Sequence, residues 1–296
     1  MVLRAHPEID VEISVVSTRG DTDARPFRSI PGRGLFTSEV EREVLEGRAD
    51  IAVHSAKDLT AGLGPGCTIV CVPPRASAHD VVVGGIDASG DERLTALPPG
   101  ARVGTSSIRR RALLLERRPD LDVVDLRGNL DTRLAKIERG DVDVAILAAA
   151  GLERLGLPEA GSMGALDPAS WVPAPAQGAL AVEAIAERAD LVRLFGPLDD
   201  PAARAEIECE RAYGERLEGG CSVPLGCLAR AADGHLAATG FLGAPDGAHA
   251  LRDRISGPVS AAVDMGHELA DAILDAGGRD ILDDIAEQEA SAVAER

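Results

Sequence analysis

Aromatic residues are almost missing from this chain: Phe, Trp and Tyr make up 2% of its 296 residues, with one Trp and one Tyr. Its cores must be assembled from Ala, Val, Leu and Ile, which dominate a hydrophobic content of 45%. Positive charge is also short. Lys and Arg number 31 against 49 Asp and Glu, a net charge of −18, which argues against general binding to nucleic acid or to an anionic membrane. The five cysteines, at 67, 71, 209, 221 and 227, are odd in number and lack paired metal-ligand spacing with histidines. Neither a disulfide framework nor a zinc site is expected. No apolar run approaches a membrane span, and the opening MVLRAHPEIDVE has no signal-peptide core, so a cytoplasmic location is expected. Gly32 and Gly34 lie in a polar loop without the Gly-Lys-Ser/Thr of a nucleotide phosphate loop.

What is present is organised around Gly47–Leu59, GRADIAVHSAKDL. It reads as a helix end at Gly47, a short buried strand Ile51-Ala52-Val53, and then His54-Ser55-Ala56-Lys57-Asp58 at the strand's C-terminal end, where ligands sit in open α/β sheets. Asp58 as a turn cap with Lys57 in solvent is the plain alternative. The chain contains its own control. Gly140–Leu152, GDVDVAILAAAGL, aligns without a gap, but Ala150 and Gly151 stand where Lys57 and Asp58 were. The fold can make this turn without the charged pair, so function explains Asp58 better than structure does.

In chain order, Ile9, Val11, Ile13 and Val15 alternate with polar residues and predict a strand. A loop to Gly34, long enough for a mobile lid, leads to a helix from about Ser38. A strand over Thr68–Val72 ends at Pro73-Pro74, which reads as a domain crossing. In the next α/β unit, strand Arg102-Val103-Gly104 runs into Thr105-Ser106-Ser107-Ile108-Arg109-Arg110-Arg111 and a helix through Glu116. Hydroxyls and free backbone N–H groups at a helix start, followed by arginines, form an anion site. A serine cap with solvated arginines is the alternative, and three consecutive arginines cannot all face one way. Strand Val123–Leu126 then delivers Arg127, and the following helix delivers Arg133. A second Pro-rich crossing, Trp171–Pro175, suggests a lobe inserted between two halves of the first, with a returning strand over Gln177–Glu183. From Asp199 the texture becomes a small α+β domain. A helix over 201–217 precedes the Gly-Gly turn that carries Cys221. Strands near 227–231, 235–242 and 251–256 and helices over 260–276 and 279–290 follow.

Taken in order, HSAKD at 54–58, GTSSIRR at 104–110, LRGNLDTR at 126–133, AAAGLERLGL at 148–157, PAQGAL at 175–180 and LEGGCSVPLG at 217–226 resemble the porphobilinogen deaminase (hydroxymethylbilane synthase) family through nearly the whole chain. The resemblance implies an α/β fold with two periplasmic-binding-protein-like lobes around a cleft and a small C-terminal α+β domain. Expected boundaries are 1–73 with 178–196, 79–172, and 200–296. It implies a cytosolic, typically monomeric transferase of tetrapyrrole (haem) synthesis that joins four porphobilinogen molecules and releases ammonia. Its primer is a dipyrromethane cofactor on a thioether to Cys221, with Asp58 as the catalytic carboxylate. Carried over by motif, the cofactor and substrate clamp is Ser55, Lys57, Thr105, Ser107, Arg109, Arg110, Arg127, Arg133, Arg154 and Gln177. Arg33 and Phe36 match lid positions. Lys57, Arg109 and Arg110 are expected to favour the ionised form of Asp58. No metal, nucleic acid or membrane is implied.

Two departures stand out. Ala176 occupies a place where the family commonly has glycine. The chain also starts after the strand and helix with which family members begin, so the expectation is a first lobe short of an internal strand, loose and inactive as it stands, and a gene product that begins upstream of Met1. The residues leave two other readings open: a non-catalytic bilobal anion-binding protein, and an inactive truncated member of the family.

Overall fold

The computed structural model describes residues 1–19, 37–59, 62–157, 164–217 and 223–294. Their strands are β1 (Ala52–Ser55), β2 (Cys67–Cys71), β3 (Asp80–Gly84), β4 (Arg102–Gly104), β5 (Asp122–Val124), β6 (Val144–Ala148), β7 (Gly164–Ala165), β8 (Leu180–Ile185), β9 (Leu225–Ala232), β10 (His235–Gly243) and β11 (Ala250–Pro258). They form three sheets, in the orders β1-β8-β2, β5-β4-β6-β3-β7 and β11-β10-β9.

The first sheet is built from both ends of an interruption: β8, from beyond residue 178, lies between β1 and β2 and runs antiparallel to each. The second sheet holds the intervening segment. There β4 is parallel to β5 and β6, while β3 is antiparallel to β6 and β7. Its central strands β3 and β6, DVVVG and VAILA, are apolar apart from Asp80, because both faces are covered. On one face Leu113 and Leu114, from the helix Ile108–Arg117, are fully buried with Val103, Ile146 and Trp171. Burial of each such side chain is worth about 1.5–3 kcal/mol.

The internal repeat is visible in three dimensions. Gly47 and Gly140 both adopt left-handed backbone (φ 70° and 74°) after a helix, where a Cβ would be strained. Each is followed by a strand: β6 is buried, whereas β1, expected to be buried, alternates, with Val53 58% exposed. The first copy then makes a single 3-10 turn, Ala56–Asp58, while the second continues as the helix Ala149–Arg154. The register matches too, since Ser55 pairs with Leu180 and its counterpart Ala148 pairs with Asp80.

The two crossings run side by side. Ala76 N–H donates to Gly178 O at 3.1 Å. Gly178 (φ 85°) has no room for a Cβ, which would lie 2.5 Å from Ser77 O. The C-terminal sheet packs on the helices Pro201–Arg216 and Ala262–Ile273, and the Tyr213 hydroxyl donates to Phe241 O at 2.9 Å. This unit is tied to both crossings through Arg75. Its guanidinium donates to Glu206 (3.0 Å), to both oxygens of Glu210 (2.7 and 2.9 Å) and to Gln177 O (3.0 Å). Glu210 also accepts from the backbone N–H groups of Ala176 and Ala229.

Several sequence expectations are corrected here. Residues 9–18 form no strand, and Ile13 and Val15 are 84% and 91% exposed. Alternation needs a neighbouring ladder, and among the described residues no strand pairs with this stretch. Strand β1 starts at Ala52 and runs through His54, and the returning strand starts at Leu180, leaving Gln177 in the preceding turn. The helix from Ala262 gives way at Gly277 (φ 111°) to a second one, Arg279–Ala294. Among the described residues no helix is long and apolar enough to cross a membrane.

Candidate active site

The C-terminal end of β1 delivers Ser55, half-buried, and the 3-10 turn then turns Lys57 and Asp58 out into the cleft. Ala56, in between, is buried, and its N–H is anchored on Ala179 O at 3.0 Å. Lys57 and Asp58 keep exposed surface at the rim of a crowded surrounding of protein atoms, so each is partly desolvated. Burial pushes the Asp58 carboxyl above its ordinary range, while Lys57, His54 and Arg133 pull it back. Burial also pushes the Lys57 ammonium down. Asp58 and Asp80 oppose that shift, whereas Arg110 and Arg109 add to it. Residues of the second lobe therefore act directly on the turn of the first, so the two strand ends face one another.

Under the turn, His54 Nε2 lies 2.8 Å from Glu183 Oε2, and both side chains are buried. Sequence reasoning placed His54 only as part of the strand end and gave Glu183 no role. The pair fixes β1 to β8 just before the 3-10 turn.

On the facing lobe, Ser107 caps its helix by accepting the Arg110 N–H at 3.4 Å, and Thr105 Oγ1 accepts the Ser107 N–H at 3.2 Å. Of the three arginines, Arg111 turns towards Val123 O (3.5 Å), while Arg109 and Arg110 converge on one carboxylate, Asp80. Arg109 Nη1 reaches Asp80 Oδ2 at 2.8 Å, and Arg110 Nη2 and Nε reach Oδ1 at 2.7 and 3.1 Å. Trp171 Nε1 and Gln177 Nε2, from the second crossing, each donate to Asp80 at 2.9 Å. Burial opposes ionisation of Asp80, but Arg109 and Arg110 outweigh it and hold the carboxyl well below its usual range. The expectation that Lys57, Arg109 and Arg110 favour the ionised form of Asp58 is corrected: burial outweighs the neighbouring cations and raises the carboxyl, Lys57 does pull it down, and His54 and Arg133 act in place of Arg109 and Arg110, which Asp80 holds.

The remaining clamp candidates divide. Arg133 donates from Nε to Gly128 O (2.8 Å), and its guanidinium faces Arg110, Asp125, Arg127 and Asp58. Arg127 pairs with Asp125 at 3.1 Å. Arg154 donates to Gly178 O at 2.7 Å, so it braces the crossing. Cys221, Arg33 and Phe36 lie outside the described residues. The four described cysteines are free thiols, and burial pushes each away from reactivity: Cys71 up to about 11, Cys67 and Cys209 up to about 12, and Cys227 well above its ordinary value.

Asp80, the hub of the arginine cluster, was missed in the sequence. Its signal was a carboxylate heading an otherwise apolar strand, DVVVG, where a buried charge needs several partners. Lys57, Arg109, Arg110 and Arg133 together set four cations against Asp58 and Asp80, so the site is locally positive in an acidic chain. Arg109 Nε is buried with no hydrogen-bond partner. Such a donor set fits a ligand that carries several carboxylates.

Comparison with known proteins agrees with this chemistry. Residues 1–193 match the family model "Porphobilinogen deaminase, dipyromethane cofactor binding domain", and residues 204–275 match "Porphobilinogen deaminase, C-terminal domain". The chain is 47% identical over 279 residues to the porphobilinogen deaminase of Roseiflexus sp. (strain RS-1), covering 94% of this chain and 90% of that one. It is 45% identical over 280 residues to that of Stenotrophomonas maltophilia (strain K279a), covering 94% and 91%. Among solved structures, the BvgS periplasmic VFT2 domain of Bordetella pertussis, as a double mutant, aligns with a TM-score of 0.34 at 17% identity, over 54% of this chain and 65% of that one.

Proposed function

The chain belongs to the porphobilinogen deaminase family, and on that premise we propose that Asp58 is the catalytic carboxylate of its hydroxymethylbilane synthase activity. The enzyme joins four porphobilinogen molecules head to tail and releases ammonia at each step. The observation that carries the assignment is the asymmetry of the repeat. Lys57 and Asp58 are present at the strand end of one lobe, replaced by Ala150 and Gly151 in the other, and face cations of that other lobe.

Porphobilinogen loses its amino group when the C–N bond breaks and the nitrogen leaves, protonated, as ammonia. The methylene-pyrrole cation that remains has its positive charge spread towards the ring N–H. Asp58, a carboxylate on the cleft floor, stabilises that cation and accepts the proton released when the new carbon–carbon bond forms. Partial desolvation places the carboxyl nearer the working pH. The acetate and propionate groups of substrate and product are held by Lys57, Arg109, Arg110, Arg127 and Arg133, with Ser55, Thr105 and Ser107 donating hydroxyls. Arg154 and Gln177 brace the crossing beneath them. Arg33 and Phe36 are assigned to substrate contact on their motif positions alone.

Dipyrromethane, bound through a thioether to Cys221, supplies the primer to which substrate units are joined. The cation excess supports a carboxylate-bearing cofactor at this site, and Cys221 is assigned as its attachment point from its place in the motif LEGGCSVPLG. We assign residues 1–73 with 178–196 to the first lobe, 79–172 to the second and 200–296 to the cofactor-carrying domain. The protein acts as a cytoplasmic monomer on a small anionic substrate, without nucleic acid, in keeping with its net charge of −18.

The test is Asp58→Asn, which preserves shape and removes charge. The variant should fold, carry the cofactor and lose at least ~10²-fold in kcat, the scale of a positioned acid–base group. Normal turnover by that variant would remove Asp58 from the chemistry.

A further inference from the structure

We propose that Asp80 is the positioning residue of the anion clamp: from the first position of β3 it fixes the guanidinium groups of Arg109 and Arg110 side by side and supplies the buried negative charge that lets both stand next to Lys57. The proposal rests on the reading of Asp58, Lys57 and the arginines given above.

The fold does not require a carboxylate at this point. Asp80 pairs with Ala148 in the second lobe, and the equivalent partner of Ser55 in the first lobe is Leu180. The same strand end is thus made once with an apolar residue and once with a fully buried Asp. Both oxygens of Asp80 are occupied, by donors from two separate elements: Arg109 and Arg110 from the helix Ile108–Arg117, Trp171 and Gln177 from the second crossing. With that many donors, each guanidinium is held in one orientation. Arg109 gains a further anchor on Val172 O at 2.9 Å, and Arg110 one on Ile146 O at 2.8 Å.

Charge gives Asp80 its second task. Two guanidiniums and an ammonium crowded together repel one another, and each loses hydration. One carboxylate at their centre leaves the cluster positive enough to hold a carboxylate-bearing ligand, without the full repulsion of three like charges. Lys57 is the sensitive member. Lys57 and Lys136 are the chain's two lysines, and arginine supplies every other strong cation. An ammonium loses its proton readily under desolvation, whereas a guanidinium does not. The charged groups that face Lys57 are Asp58 on its own turn, Arg110 and Arg109 from the facing helix, and Asp80 from β3. Removing Asp80 deletes one of the two groups that hold the proton on Lys57.

The experiment uses the full chain as purified. Asp80→Asn keeps the shape and removes the charge. Lys57 and Lys136 are acetylated competitively with acetic anhydride across a pH series, and their peptides are quantified by mass spectrometry. Wild type and variant are compared at equal cofactor content, read with Ehrlich's reagent. In Asp80→Asn the midpoint for Lys57 should fall by roughly one pH unit, the low end of a neighbouring charge's effect, with Lys136 as the unchanged internal reference. Combining Asp80→Asn with Arg109→Gln removes one charge of each sign and should return the midpoint towards the wild-type value.

If Asp80→Asn does not fold, the double variant decides: recovery of folding with a near-wild-type midpoint supports the proposal, and no recovery overturns it. An Asp80→Asn protein that folds with an unshifted midpoint also overturns it. Wild-type protein that never carries an Ehrlich-reactive group would instead remove the underlying reading of the site.

Discussion

Ala56 and Ala149 make the same hydrogen bond in the two lobes. Each donates its N–H at 3.0 Å to a residue about to enter the neighbouring strand, Ala179 in one case and His79 in the other. The scaffold around both strand ends is therefore shared, and the differences grafted onto it are informative. One lobe carries Lys57 and Asp58, while the other carries Asp80 and the arginines it holds. Neither lobe has the whole site.

Asp58 should cost stability in return for its chemistry. Burial raises its folded-state pKa, so the folded protein holds a proton that the unfolded chain releases. The stabilising contribution is complete below the unfolded value of ~3.9 and is lost as pH rises through the raised one. At neutral pH the ionised carboxyl disfavours the fold. Asp58→Asn should accordingly melt at or above the wild-type temperature at pH 7 by calorimetry, while its catalysis collapses. A clearly lower Tm would show that the carboxylate has a structural partner.

Arg75 is the main electrostatic tie between the crossings and the C-terminal domain. Arg75→Leu leaves Glu210, which is fully buried, without its cation. Breaking a buried pair in this way costs about 3–5 kcal/mol, a large share of the ~5–15 kcal/mol that holds a typical domain. Urea denaturation should show that loss. Adding Glu210→Gln should recover part of it, and a fully additive double variant would argue against direct coupling.

Ala176 carries backbone strain. Its φ is 59°, a left-handed conformation that costs an L residue roughly 1–2 kcal/mol. Glycine removes that strain but loses about 0.5–1 kcal/mol of backbone entropy. Ala176→Gly should therefore stabilise the protein slightly, by about 0.5–1 kcal/mol from the difference of those terms, with no change in turnover. Destabilisation would mean that the Ala176 methyl, buried against Ala56 and Ile207, outweighs its strain.

The sequence made local features legible wherever local rules govern them. The repeat, the two Pro-rich crossings, the strand ends bearing Asp58 and Arg109, and the three-stranded C-terminal meander all follow from periodicity and turn residues. What it hid were relationships between distant residues. Asp80 and Arg110 are 30 positions apart and Asp80 and Trp171 are 91 apart, and no spacing rule joins them. The strand expected at Ile9–Val15 failed for a related reason: alternation describes one strand, and a ladder needs two. The state of Asp58 was misjudged because burial, which no motif records, is the largest influence on it.

The central claim is that this chain builds its site around a primer on Cys221, and the mass of that peptide tests it most directly. Protein purified from cells able to make porphobilinogen should exceed its sequence mass by one dipyrromethane unit, located by digestion to the peptide containing Cys221, and should redden with Ehrlich's reagent. Full-length, folded protein with an unmodified Cys221 and no Ehrlich reaction would contradict the account and leave an anion-binding cleft without its chemistry.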